Sequence, residues 1–166
     1  MPRPRRKIVL IFFLLFVVGA AVAFVFWPKV PLPDLDKVPV DEAKDEQFRK
    51  LVVGTWEDDY QGKRTLTLRP DGTGTMIVEL SGLNAIVASK LTFEEKWSIE
   101  RGHLKMQATG GEPKSRVNMI LKTMGDKTIQ KILELTPSRM LLLDPNGKTE
   151  YDWRKLSREN PEAIAD

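Results

Sequence analysis

Apolar and polar residues follow three different rhythms along this chain. From Ile8 to Trp27 (IVLIFFLLFVVGAAVAFVFW) there are 20 consecutive uncharged residues, almost all apolar. At about 1.5 Å per helical residue such a run reaches roughly 30 Å, the thickness of a bilayer's hydrocarbon core, which predicts a transmembrane helix. Residues 28–40 then carry closely spaced prolines, which predict an extended, semi-rigid spacer. From Asp41 to Val53 (DEAKDEQFRKLVV) acidic residues lead and Phe48, Leu51 and Val52 form one apolar stripe, the pattern of a short helix that Gly54 ends.

The third rhythm runs from Gly54 to Arg154, where apolar and polar residues alternate in short runs. Turn residues interrupt it about every ten positions, among them Pro70-Asp71-Gly72, Arg101-Gly102, Gly125-Asp126, Pro137-Ser138 and Pro145-Asn146-Gly147. The spacing predicts about nine short strands, within a range of about 8 to 10, joined consecutively into an antiparallel up-and-down meander. Closing such a meander into a barrel removes its exposed edges.

A period of two also predicts which side chains face inward. Leu91, Phe93, Trp97 and Ile99 point one way, and Thr92, Glu94, Lys96 and Ser98 the other. Leu66 with Leu68, Met76 with Val78 and Leu80, Leu104 with Met106, and Tyr151 with Trp153 extend the inner set. So do Val117 with Met119 and Leu121, read as a strand, and Ile129 with Leu133 and Leu135. Three charged residues fall on this inner face: Asp58, Glu95 and Lys131.

The location of the charges matters more than their sum. The net charge of +3 suggests affinity for phosphate backbones, yet Arg3, Arg5, Arg6 and Lys7 supply four of the 26 basic residues, leaving 22 against 23 acidic ones. The domain is about neutral, which argues against nucleic-acid binding. The basic cluster at 1–7 instead predicts that the N-terminus stays in the cytoplasm and that everything after Trp27 is translocated. Ala21, Val22 and Ala23 also form a small-residue cleavage site, so the leader reads either as an uncleaved anchor over 8–27 or as a signal peptide cut near Ala23. Both place the domain outside the cytoplasm. The resulting division is 1–7 basic segment, 8–27 anchor, 28–40 linker, 41–154 β domain and 155–166 flexible tail.

A short helix running into Gly54-Thr55-Trp56 at the head of a meander resembles the lipocalins, whose opening motif is G-x-W in that setting. The chain is similar in particular to uncharacterised bacterial lipocalin-like domains, with Asp71-Gly72-Thr73 as their D-G-T hairpin and Lys96-Trp97-Ser98 as their tryptophan strand. The similarity covers roughly residues 45–154. It implies a lipocalin-like barrel with Gly54 and Trp56 as its signature, and Arg154 as the cation packed on Trp56.

Candidate chemistry is sparse. A charge inside a barrel costs several kcal/mol unless paired or solvated, so Asp58, Glu95 and Lys131 read either as polar contacts for a bound molecule or as mouth positions and a structural network. The apolar stretch Leu83–Ala88, with Leu83, Ile86 and Val87, reads as a lid or partner-docking loop, or as strands continuing through a longer hairpin. His103 is the only histidine; it is expected in solvent on a polar strand face. Asp144 to Glu150 reads as a hairpin turn. The absence of cysteine removes disulfides and thiolate sites, and no nucleophile, metal set, cofactor motif or paired-acid motif points to an enzyme. Two functions stay open: a membrane-tethered barrel binding a small, partly apolar ligand, or a structural or interaction module that meets another protein of the cell envelope.

Overall fold

The computed structural model of the protein describes residues 31–60, 62–80 and 90–156. The expected anchor at 8–27, the Leu83–Ala88 stretch with Leu83, Ile86 and Val87, and residues 157–166 lie outside them. No helix among the described residues is long and apolar enough to cross a membrane.

Asp34 and Asp41 set the entry to the domain. The Asp34 carboxylate accepts the Asp36 N–H at 3.2 Å and starts a single 3-10 turn, Leu35–Lys37. Leu35 is buried, and the Arg101 guanidinium donates to the carbonyls of Leu35 and Val38. The proline-rich stretch is therefore not an extended spacer at this point, because a side chain of the barrel ties its backbone down. Asp41 caps helix α1 (Glu42–Val52) by accepting the Lys44 N–H at 3.0 Å. Asp45, Phe48 and Val52, spaced three and four apart, form its buried face.

Eight strands follow: β1 (Gly54–Asp58), β2 (Lys63–Leu68), β3 (Thr73–Glu79), β4 (Lys90–Glu100), β5 (His103–Glu112), β6 (Lys127–Leu135), β7 (Arg139–Leu143) and β8 (Glu150–Lys155). Each pairs antiparallel with the next, and β8 returns to β1 through Trp56↔Lys155 and Glu57↔Arg154, closing the barrel. Eight lies within the expected range of 8 to 10 and one below the count of nine, because Val117–Leu121 belongs to helix α2 (Lys114–Met124) rather than to a strand. Arg116, Val117, Ile120 and Leu121 are the buried and half-buried positions, a helical spacing, while Met119 is 59% exposed. In so short a segment both periods fit, and Gly125 at φ 95° ends the helix.

The antiparallel order gives the barrel two unlike ends. At the helix end, where β1 begins and β8 finishes, α1 plugs the opening with Phe48 and Val52 against Trp56, Leu66, Leu68, Leu104, Met140 and Leu142. These inner residues are almost fully buried, each such leucine contributing about 2 kcal/mol by leaving water. Trp56 Nε1 donates to the Val52 carbonyl at 2.7 Å, fixing helix to strand. The buried Asp45 carboxylate accepts the N–H groups of Arg101 (2.6 Å) and Gly102 (2.7 Å), fixing the helix to the β4–β5 turn, where Arg101 has φ 50°. The far end carries the β1–β2 and β7–β8 turns and the β5–α2–β6 connection.

Two bulges set side-chain direction. One lies between Glu94 and Glu95 of β4, facing β5. Beside it, a Cβ on Gly111 would sit 2.0 Å from the Thr92 carbonyl oxygen, so only glycine fits that crossing. The second lies between Ile132 and Glu134 of β6. Before it, Gln130 and Ile132 face inward, opposite Leu104 and Leu142; after it, Leu135 faces Met140. Lys131 and Leu133 consequently point outward and are exposed, correcting the inward direction expected of Ile129, Lys131 and Leu133. Ile129, Leu133 and Leu135 share one face only in a strand without a bulge.

Candidate functional site

The far end of the barrel holds the polar interior. Asp58, near the end of β1, lies directly across from Arg64 of β2. Both belong to the inner rows, Asp58 following Trp56 at a spacing of two and Arg64 preceding Leu66. The Arg64 guanidinium donates Nε to Asp58 Oδ1 at 2.6 Å and Nη2 to Asp58 Oδ2, a two-pronged ion pair. Asp58 also accepts the Tyr60 N–H at 3.3 Å. Three rings enclose the guanidinium, with its carbon 5.2 Å from the centre of Tyr60, 4.8 Å from Tyr151 and 4.9 Å from Trp153. Tyr60 and Tyr151 meet edge to face at 5.0 Å. The Asp58 and Arg64 charges thus cancel each other in a box that holds its cation by hydrogen bonds and ring faces together.

Tyr151 is held neutral. Its hydroxyl donates to Asp144 Oδ2 at 3.2 Å, and burial, followed by the Asp144 charge, pushes its pKa up to about 12. Asp144 itself belongs to the β7–β8 turn, where it accepts the Asn146 N–H at 2.9 Å while Asn146 accepts from Lys148 and Thr149. The segment is a hairpin turn built from successive side-chain-to-backbone bonds.

Glu95 is different. It sits on β4 between Gly74 of β3 and Ala108 of β5, neighbours with no polar side-chain atom. It is 8% exposed, and among the described residues no hydrogen bond or ion pair reaches its carboxylate. Burial alone raises its pKa from 4.5 to about 7. The indole nitrogen of Trp153 is likewise buried with no hydrogen-bond partner among the described residues. A buried donor without a partner costs about 1–3 kcal/mol. Chemically, Glu95 accepts a hydrogen bond or pairs with a cation when ionised, and donates one when protonated.

Around this acid the packing loosens. Met76, Val78 and Phe93 lie on the inner rows beside Leu66 and Leu91, yet they are only half-buried, as is Tyr151. The inward-facing Thr128 of β6 is exposed. These inner residues keep more exposed surface than those at the sealed helix end. A separate open cleft of about 670 Å³ lies outside the barrel, between α1 and the β2–β3 hairpin. Its Glu46 pairs with both Arg49, at 3.1 Å, and Lys50, at 3.4 Å.

Of the three charged positions expected inside, the structure brings Asp58 and Glu95 to the inner wall and sends Lys131 outside. The cation inside is Arg64, readable from its spacing of two from Leu66 and Leu68. Arg154 does not pack on Trp56: its side chain is 74% exposed and lies 3.5 Å from Asp59. Lys155 takes that place, its Nζ 4.8 Å from the Trp56 ring centre and 3.0 Å from the Leu51 carbonyl that it donates to. Trp153 faces inward, so strand alternation turns Arg154 out and Lys155 in. Lys155 is therefore part of β8 and not of a flexible tail. His103 is also buried rather than exposed, and its Nδ1 bonds the Arg101 carbonyl at 2.8 Å. Among the described residues no group of three His, Asp or Glu side chains converges on a point where a metal ion would be held.

The fold defined by these observations is a mainly β, closed eight-stranded antiparallel barrel with two helices. It is similar to a lipocalin-like protein from Bacteroides uniformis, with a TM-score of 0.46 and 18% identity, over 64% of this chain and 99% of that one. It is also similar to an uncharacterized protein from Bacteroides eggerthii, with a TM-score of 0.42 and 17% identity, over 63% of this chain and 98% of that one. No family model matches the sequence, and no curated protein matches it significantly.

Proposed function

We propose that this protein is a binding module whose barrel holds a small, partly apolar molecule at its far end. The observation that carries the reading is Glu95, a carboxylate facing the interior with no protein partner. A chain that neutralises Asp58 with Arg64 a few residues away has the means to neutralise a second acid. Leaving one unpaired, beside half-buried Met76, Val78 and Phe93, suits a site whose missing atoms belong to a ligand. The unpaired Trp153 N–H supports the same reading. The apolar run at 8–27 behind its basic cluster supports a tethered, extracytoplasmic setting for this module.

Titrating the full-length protein in mild detergent with the uncharged fluorophore N-phenyl-1-naphthylamine tests the reading. A saturable rise in emission is expected, lost when Ala108→Leu fills the space beside Glu95. No saturable signal, or an unchanged signal in a folded Ala108→Leu variant, would overturn it.

A further inference from the structure

We infer that the molecule held at the far end carries a cationic head, an alkylammonium or a comparable organic cation, with Glu95 as its counter-charge. This rests on the binding reading above and specifies the chemistry of the same site.

The inner rows of the eight strands carry four titratable or cationic groups besides Glu95. Asp58 and Arg64 form a mutual two-pronged pair. Tyr151 stays a neutral phenol bonded to Asp144. Lys155 lies at the helix end, engaged by the Leu51 carbonyl and the Trp56 ring. On the strands flanking Glu95, the facing residues are Gly74 and Ala108, and on its own strand Glu94 and Lys96 alternate to the outside. Among the described inner groups at the far end, Glu95 thus lacks a counter-charge, and Asp144, bonded to the Tyr151 hydroxyl, adds a second negative charge there.

Three ligand types meet this interior differently. A carboxylate or phosphate would lie against an uncompensated acid, with Arg64 already bound, and would be repelled. A neutral alcohol finds a partner in Glu95 only while Glu95 holds a proton. A protonated amine supplies the missing positive charge and N–H donors together, in a setting where a desolvated ion pair is strong if the remaining valences are met. The barrel already stabilises one organic cation at this end, the Arg64 guanidinium among three rings. Because burial lifts Glu95 to about 7, the strength of the pairing depends on pH near neutrality.

Three probes of equal chain length discriminate these cases: octylamine, octanol and octanoate, measured by calorimetry on the full-length protein at about pH 6 and pH 8. Octylammonium is expected to bind at least about tenfold more tightly than the other two at pH 8, and to weaken about tenfold at pH 6 as Glu95 takes up a proton. Glu95→Gln is expected to abolish that pH dependence and bring octylamine down to the level of octanol, while octanol binding persists. If octanol or octanoate binds saturably and as tightly as octylamine, the cationic head is refuted and the barrel remains a binding site. If none of the three binds and N-phenyl-1-naphthylamine also gives no signal, the binding reading falls with it.

Discussion

Replacing Glu95 by glutamine should make the protein more stable at alkaline pH and leave it nearly unchanged at acid pH. The unfolded chain ionises this carboxyl near 4.5, and the barrel delays ionisation to about 7, because burial strips water from the charged form. Between those values the folded state holds a proton that the unfolded state has released. The favourable contribution is complete below about pH 4.5 and is lost as pH rises through about 7. A displacement of about 2.5 pH units corresponds to about 3 kcal/mol in full, of which about 2.5 kcal/mol falls between pH 5 and pH 8. Glutamine keeps the shape and cannot ionise, so it escapes that loss. Urea denaturation of wild type and Glu95→Gln at pH 5, 6, 7 and 8 isolates the term, since every other group is common to both. The stability difference should grow steadily in favour of the variant with rising pH. A difference that stays flat within about 0.5 kcal/mol would show that Glu95 ionises freely and would refute a desolvated, unpaired acid at the centre of the site.

Two further outcomes follow from the same interior. Asp58→Ala leaves the Arg64 guanidinium charged among three rings without its counter-ion, and should cost about 3 kcal/mol in urea denaturation, most of it regained in the Asp58→Ala, Arg64→Met double variant; a single-variant loss under about 1 kcal/mol would deny the pair its role. Lys155→Ala should lower stability by about 1–2 kcal/mol through lost contact with Trp56 and the Leu51 carbonyl, whereas Arg154→Ala should stay within about 0.5 kcal/mol. Thermal melts of the two variants that ranked them in the opposite order would restore Arg154 as the packing cation.

Much of this arrangement is written in local pattern. The alternation of Leu91, Phe93, Trp97 and Ile99 makes β4 legible, and with it the inward position of Glu95, because a period of two survives in any long strand. Residues 117–121 were illegible for a physical reason: five residues fit both a strand and a helix face, and only packing against β5 decides. At Ile129–Leu135 the bulge resets the phase, and nothing in the local spacing announces it. Parity with the inward Trp153 selects Lys155 over Arg154, against the arginine that the lipocalin resemblance implies. The environment of His103, the unpaired indole nitrogen of Trp153 and the ring box around Arg64 depend on strands distant in sequence and exist only once the barrel has closed.

Closure itself depends on two residue pairs, Trp56↔Lys155 and Glu57↔Arg154, with the Leu156 N–H adding one more bond to the Thr55 carbonyl at 2.8 Å. The first strand to leave the ribosome therefore waits for the last before its outer edge is satisfied, across the longest loop the domain contains. Until then the nascent sheet has two bare borders, each a template for another copy. A product ending a few residues early would keep nearly every apolar side chain and still lack the latch, which makes the final strand the guardian of solubility for everything made before it.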